Sequence, residues 1–288
     1  MTPALVLSAI LVPLLCPALL LLPGRERVMR VALPLLPLPA LALAILSGSG
    51  WHLELPYLLN GGLWLLDDLR RGFLLLTATL WATAGLYAAG YMGRAHLPRF
   101  CTLWALTLAG NLGLIVAGDI ASFYSFFALM TFAAYGLVVH DGTAQAHRAG
   151  RIYLIMAVLG EMALLAGLVL SASAAQSGML QDLPAAIAAA PERNLIIALF
   201  VTGFGVKAGL PLLHFWLPLA HPVAPTPASA VLSGAMIKAG LLGWLVTLPL
   251  SETALPGWGT LMIAAGALAA IGAALIGVCQ QQAKAVLA

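Results

Sequence analysis

Nine apolar runs follow one another along the chain, at about 3–22, 31–47, 72–92, 100–117, 120–139, 152–172, 194–217, 227–248 and 257–279. Each is close to the ~20 residues that an α-helix needs to cross a ~30 Å hydrocarbon layer. Backbone amides in hydrocarbon must be paired inside their own segment. Such a series therefore predicts an all-α polytopic membrane protein of about nine transmembrane helices. Charged residues make up 8% of the 288, against about 25% in a soluble domain. That leaves room for neither a soluble domain of any size nor a nucleic-acid partner; the lipid bilayer is the surrounding. Two longer connections, 48–71 and 173–193, interrupt the series, and the second contains "MLQDLPAAIAAAPER", which predicts a short interfacial amphipathic helix.

No Lys or Arg precedes the first run, whereas Arg25, Arg27 and Arg30 follow it. That order is the reverse of a secretory signal peptide, so the run is read as a retained helix. With the N-terminus outside, the inner connections hold Arg25, Arg27, Arg30, Arg94, Arg99, Arg148, Arg151 and Lys284, and the outer ones hold Arg70, Arg71 and Arg193. The acids Glu54, Asp67, Asp68, Asp119, Asp182, Glu192 and Glu252 fall outside. Positive charge concentrated on one side in this way sets the expected orientation, N-terminus outside.

Subtracting the loop charges leaves Glu161, Lys207 and Lys238, each near the middle of its run. A charge at the centre of a span costs about 2.5–3.5 kcal/mol on the insertion scale, so these three require a partner or a wetted path. Two readings fit: an ion pair that locks helices together, or a proton or ion relay in which an approaching carboxylate moves a buried lysine's proton affinity. The local sequence "GFGVKAGLP" favours the relay. Gly209 and Pro211 predict that the helix breaks just after Lys207, and broken helices at mid-membrane line transport sites. His214 and His221 follow the break, and since histidine titrates near neutral pH they extend a proton path between the two lysines. No carboxylate or thiol stands near them in sequence, so no metal site is expected. His52, His96, His140 and His147 fall in loops or at helix ends, where solvation is expected. Cys16, Cys101 and Cys279 are scattered through apolar runs and make no disulfide framework or iron–sulfur motif. No phosphate-binding or dinucleotide motif is present. No cofactor is therefore expected, and any redox chemistry would belong to partner chains.

The stretch "VKAGLPLLHFWLPLAHPVAPTPASAVLSGAMIKAG", residues 206–240, strongly resembles the central signature of the antiporter-like membrane subunits of respiratory complex I, Mrp-type sodium/proton antiporters and membrane-bound hydrogenases. "GNLGLIVAGDIASFYSFFALMTFAAYGLVVH", residues 110–140, is similar to helices 4 and 5 of the same family. Before residue 72 the resemblance is weaker. It implies about fourteen helices containing two inverted five-helix repeats, helices 4–8 and 9–13, each with a broken helix, and half-channels joined by a hydrophilic axis. It implies further that Lys207 is the broken-helix lysine, that Lys238 passes charge onward from helix 8, and that His214 and His221 belong to the polar connection between them. The implied partners are other membrane subunits of a multisubunit complex, with protons or Na+ as the ion, in a bacterial inner membrane. A non-conducting membrane scaffold, or the membrane subunit of a proton-coupled bicarbonate-accumulating complex, are the alternative readings.

Two departures stand out. Ala128 occupies the place where the family carries a helix-5 glutamate after an aromatic pair, and Ser233 stands near a helix-8 histidine position. Glu161 is the remaining mid-membrane carboxylate, and it is expected to face the bundle interior as the partner of Lys207. The expected division is 1–71 for helices 1 and 2 with the outer loop, 72–99 for helix 3 and its inner loop, 100–250 for the first five-helix repeat with broken helix 7, and 251–288 for the start of a second repeat. The close at "QQQAKAVLA" reads as a piece of a longer protein rather than half of a split pair. A single cysteine placed in the 140–151 segment should react with a membrane-impermeant thiol reagent only from the cytoplasmic side. Labelling from outside would overturn the topology.

Overall fold

The computed structural model describes residues 3–21, 24–48, 50–56, 61–281 and 283–286. In chain order the elements are α1 (Pro3–Leu15) running into a 3-10 turn (Cys16–Leu21), α2 (Arg25–Leu35), α3 (Leu38–Leu46), β1 (Trp51–Leu55), β2 (Gly62–Leu66), α4 (Asp68–Tyr91), α5 (Leu97–Val116), α6 (Ile120–Val138) and α7 (Ala144–Ala175). A second 3-10 turn (Leu180–Asp182) precedes α8 (Leu183–Ala189), α9 (Arg193–Ala208), α10 (Leu217–Val223), α11 (Thr226–Val231), a π-helical turn (Leu232–Met236), α12 (Lys238–Thr247), α13 (Pro256–Val278) and α14 (Ala283–Val286). Among the described residues, eight helical stretches are long and apolar enough to cross a membrane. The ninth expected run, 194–217, is divided: α9 stops at 16 residues. The short helix expected in the connection 173–193 is present as α8, preceded by a 3-10 turn.

Two boundaries differ from expectation for one reason. Helix α2 starts at Arg25 rather than residue 31, and α7 at Ala144 rather than residue 152. Arg25, Arg27, Arg30, Arg148 and Arg151, expected in connections, therefore stand on helices. An apolar run marks only the part of a helix that lies in hydrocarbon, while arginine is a good helix former in water.

The outer connection 48–71 also holds structure that was not expected there. Strands β1 and β2 pair antiparallel, Trp51 opposite Leu66 and Leu55 opposite Gly62. Asp119 joins this hairpin to the start of α6: its carboxylate accepts from Ser122 N at 2.7 Å, capping the helix, and from Leu63 N at 2.9 Å. Asp67 caps α4 and accepts from Arg70 Nη1 at 2.6 Å, and Arg70 also donates to the Ala117 carbonyl at 3.3 Å. Acids and arginines counted as loop charges thus fasten the ends of spans, where carboxylates satisfy orphan amides.

Contacts divide the chain into two units, Met1–Gly142 with Ala224–Lys238, and Thr143–Val223 with Ala239–Ala288. In the first, α5 is almost wholly buried. Trp81 and Trp104 meet edge to face at 4.5 Å, and the Trp81 indole donates to Asn111 at 3.1 Å. A Cβ at Gly110 would collide with the Met130 nitrogen and the Phe126 carbonyl, so only glycine lets α5 and α6 approach so closely. Cys16 and Cys101, scattered in sequence, stand with their sulfurs 3.7 Å apart. In the second unit α12 leans on α9, the Trp244 indole donating to the Phe200 carbonyl at 3.0 Å, while α13 buries none of its residues.

His140, expected to be solvated, is 2% exposed just beyond α6, packed edge to face against His96 at 5.9 Å and Phe100 at 5.5 Å. Burial holds its pKa below the ordinary 6.5, helped by Arg99 and His96 and opposed by Asp141. Two measurements check this packing. Gly110→Ala should cost about 1–3 kcal/mol of stability in detergent through overpacking, whereas Gly266→Ala in α13, where a Cβ meets nothing within 4 Å, should stay within about 0.5 kcal/mol of wild type. A depressed histidine pKa gives stability that is complete above about pH 6.5 and is lost as pH falls through the lower folded value. His140→Phe should therefore flatten the acid side of the stability profile, and an unchanged slope would refute the assignment.

Candidate functional site

The site is built where α9 ends. Gly209 takes a left-handed φ of 81°, which glycine adopts without steric cost, and its amide and that of Leu210 both donate to the Gly205 carbonyl at 2.9 Å. Pro211 follows, with no amide to continue the helix. Leu212 also has a positive φ, 69°, an uncommon conformation for a bulky side chain. The expected break just after Lys207 is present, and the chain resumes helical form only at Leu217.

A broken helix leaves carbonyls unmatched, and in hydrocarbon each requires a protein donor. The Trp216 indole supplies one, reaching back across the break to the Val206 carbonyl at 2.8 Å. Trp216 also packs edge to face on Tyr153 of α7 at 5.1 Å. Tyr153 in turn contacts Lys207: its hydroxyl lies 3.4 Å from Nζ, and its ring centroid 5.7 Å from the same atom. Lys207, in the last turn of α9, also benefits from the negative helix end.

Glu161 completes the group. Its carboxylate interacts electrostatically with both the Lys207 ammonium and the Tyr153 phenol. Glu161 and Lys207 are each 5% exposed. The backbone beside them explains why these helices can come together. A Cβ on Gly203 would stand 2.9 Å from the Gly160 carbonyl oxygen, and one on Gly160 would stand 2.9 Å from Val206 Cβ. Glycines on both helices, next to Glu161 and one turn before Lys207, thus bring the two charged helices into backbone contact.

The other expected members lie elsewhere. Lys238 is half-buried at the start of α12, and its Nζ donates to the Ser233 carbonyl at 2.7 Å, at the π-helical turn. His214 stands on the break itself, half-buried and stacked on Phe215 at 5.4 Å. His221 is buried in α10, where the charge of Lys284 acts on it. Tyr153 and Trp216 were not anticipated. Tyr153 carries a signal in retrospect: it precedes Gly160 by seven residues, two helical turns, and so falls on the face that meets α9. Trp216 carries none, because nothing local reveals which carbonyl its indole will find. A buried carboxylate, phenol and ammonium can together hold a proton and pass it between acid and base, the phenol acting as donor to one and acceptor from the other.

Comparison with known proteins gives this geometry a family. Residues 117–288 match the family model described as NADH:quinone oxidoreductase/Mrp antiporter, TM. An uncharacterized protein of Mycobacterium tuberculosis is 36% identical over 232 residues, 79% of this chain and 34% of its own length. Hydrogenase-4 component B of Escherichia coli is 32% identical over 235 residues, 77% of this chain and 34% of its own. The chain thus spans about a third of the length of these relatives. A chain in the structure of the Mrp complex from Dietzia sp. DQ12-45-1b superposes with a TM-score of 0.86 over 99% of this chain and 56% of its own, at 20% identity, which shows the shared fold. With more than half of its residues inside the family match, this multi-pass membrane chain belongs to the NADH:quinone oxidoreductase/Mrp antiporter transmembrane family.

Proposed function

We propose that the chain is part of a proton-translocating, antiporter-like membrane subunit working inside a multisubunit assembly of the complex I, Mrp or hydrogenase kind. The observation that carries this reading is the buried Glu161–Tyr153–Lys207 group at the end of a broken helix. A lysine kept this far from water, beside a phenol and within the field of a carboxylate, gains or loses its proton when the carboxylate's charge or distance changes. Lys207 takes the role of the proton-holding base, Glu161 that of its counter-charge in place of the glutamate absent at Ala128, and Tyr153 that of the bridge. Lys238 takes the role of the onward relay, and His214 and His221 that of the polar connection. Protons are the favoured ion, with Na+ exchange as the related activity. The inner membrane of a bacterium is the setting, with the N-terminus outside and the Arg25–Arg30, Arg94 and Arg148–Arg151 side in the cytoplasm. The first five-helix repeat is assigned to 100–250.

A second reading, a non-conducting scaffold, draws on the alanine at position 128. One set of flux measurements separates the two. In the intact assembly reconstituted in liposomes, Lys207→Ala should lower proton flux on the order of a hundredfold, the scale of a lost acid–base group, with assembly preserved. Glu161→Ala should do likewise, and the double change Glu161→Ala with Ala128→Glu should recover flux. Unchanged flux in Lys207→Ala would favour the scaffold, and unchanged flux in Glu161→Ala would return the counter-charge role to another residue.

A further inference from the structure

Away from the relay, four arginines converge on one cleft in the first unit. The cleft, about 760 Å³ in volume, is lined by Gly24, Arg25, Glu26, Arg27, Arg30 and Arg94, together with Val31. It lies at the junction of the spans Pro3–Leu21 and Arg25–Leu46, beside the connection that follows the span Asp68–Tyr91. Four guanidinium groups against the one carboxylate of Glu26 leave a formal charge of +3.

The four are not equivalent. Arg30 is structural: Nη1 donates to the Ala89 carbonyl at 2.6 Å and Nη2 to the Met92 carbonyl at 2.9 Å, closing the end of α4. Arg25 gives Nη1 to the Leu20 carbonyl at 3.1 Å. Arg94 approaches Glu26 only at 3.9 Å, with its side chain 86% exposed. Gly24, at a φ of 68°, begins α2 with no side-chain cap, so the positive end of that helix adds to the cleft's field. Planar guanidinium forks and an uncapped helix start suit a phosphate group. A second feature says what the phosphate is attached to. Val28, Val31 and Leu35 are exposed along α2, three and seven residues apart, and form an apolar stripe that leads from the cleft towards the span. A free anion has no use for that stripe, whereas acyl chains do.

We propose that this cleft binds the phosphate headgroup of an anionic phospholipid, with an acyl chain lying along Val28, Val31 and Leu35. The 288-residue chain in detergent, titrated with phosphatidylglycerol or phosphatidylcholine and followed by native mass spectrometry, tests it. Phosphatidylglycerol should bind and phosphatidylcholine should not compete. Each surface arginine near an anionic headgroup strengthens the attraction about fivefold, so the triple change Arg25→Gln, Arg27→Gln, Arg94→Gln, which spares Arg30, should weaken phosphatidylglycerol on the order of a hundredfold. The control pair Arg148→Gln and Arg151→Gln should leave binding within about twofold. If the triple variant fails to fold, Arg27→Gln alone should weaken binding about fivefold. Retention of binding in these variants, an equal loss in the control pair, or complete displacement by inorganic phosphate, which would mark a soluble-anion site, would overturn the proposal.

Discussion

In hydrocarbon a backbone carbonyl or amide has no water to turn to, so every interruption of a helix has to be matched by a donor or acceptor from the protein itself. That constraint shapes the centre of this chain. The break after α9 is tolerated because Gly205 accepts two amides and the Trp216 indole reaches back to Val206. At the π-helical turn of the Thr226–Thr247 span, the Ser233 carbonyl receives the Lys238 ammonium. Both lysines therefore sit where the backbone departs from regular helix, and in both places the departure and the charge support each other.

The same economy governs how charges enter the interior. Glu161 and Lys207 are tolerable only as neighbours, and they become neighbours because Gly160 and Gly203 carry no side chains to hold α7 and α9 apart. Tyr153 contributes an apolar ring that packs on Trp216 and a hydroxyl that meets Lys207, bridging the dry wall of the site and its charged contents. The residues that pack these helices together are the ones assigned to the proposed proton relay. A substitution that widens the glycine contact would act on the proposed relay as much as on stability.

At the membrane surfaces, charge serves fastening. Asp119, Asp67 and Arg70 tie the hairpin and two helix starts together, and Arg30 closes the end of α4. Apart from Arg70, these groups follow the charge bias of the loops, yet most of them are fixed by specific backbone partners rather than free in solvent.

Eight of the nine expected spans, the buried Glu161 and Lys207 and the break beside Lys207 were legible in the sequence, because each rests on local properties: the length of an apolar run, the cost of a charge in it, the conformational habits of glycine and proline. The hairpin was not read from the sequence, because short apolar strands between helical runs are masked by their surroundings. What only the tertiary structure decided is which distant residues meet: Tyr153 with Lys207, Trp216 with the Val206 carbonyl, His140 buried against His96 and Phe100, Cys16 beside Cys101. Hydropathy ranks residues by their preference for water, and that preference is the same whichever neighbour a side chain finds. Which neighbours meet is set by the shapes of helices in contact, and those shapes depend on residues far apart in the chain.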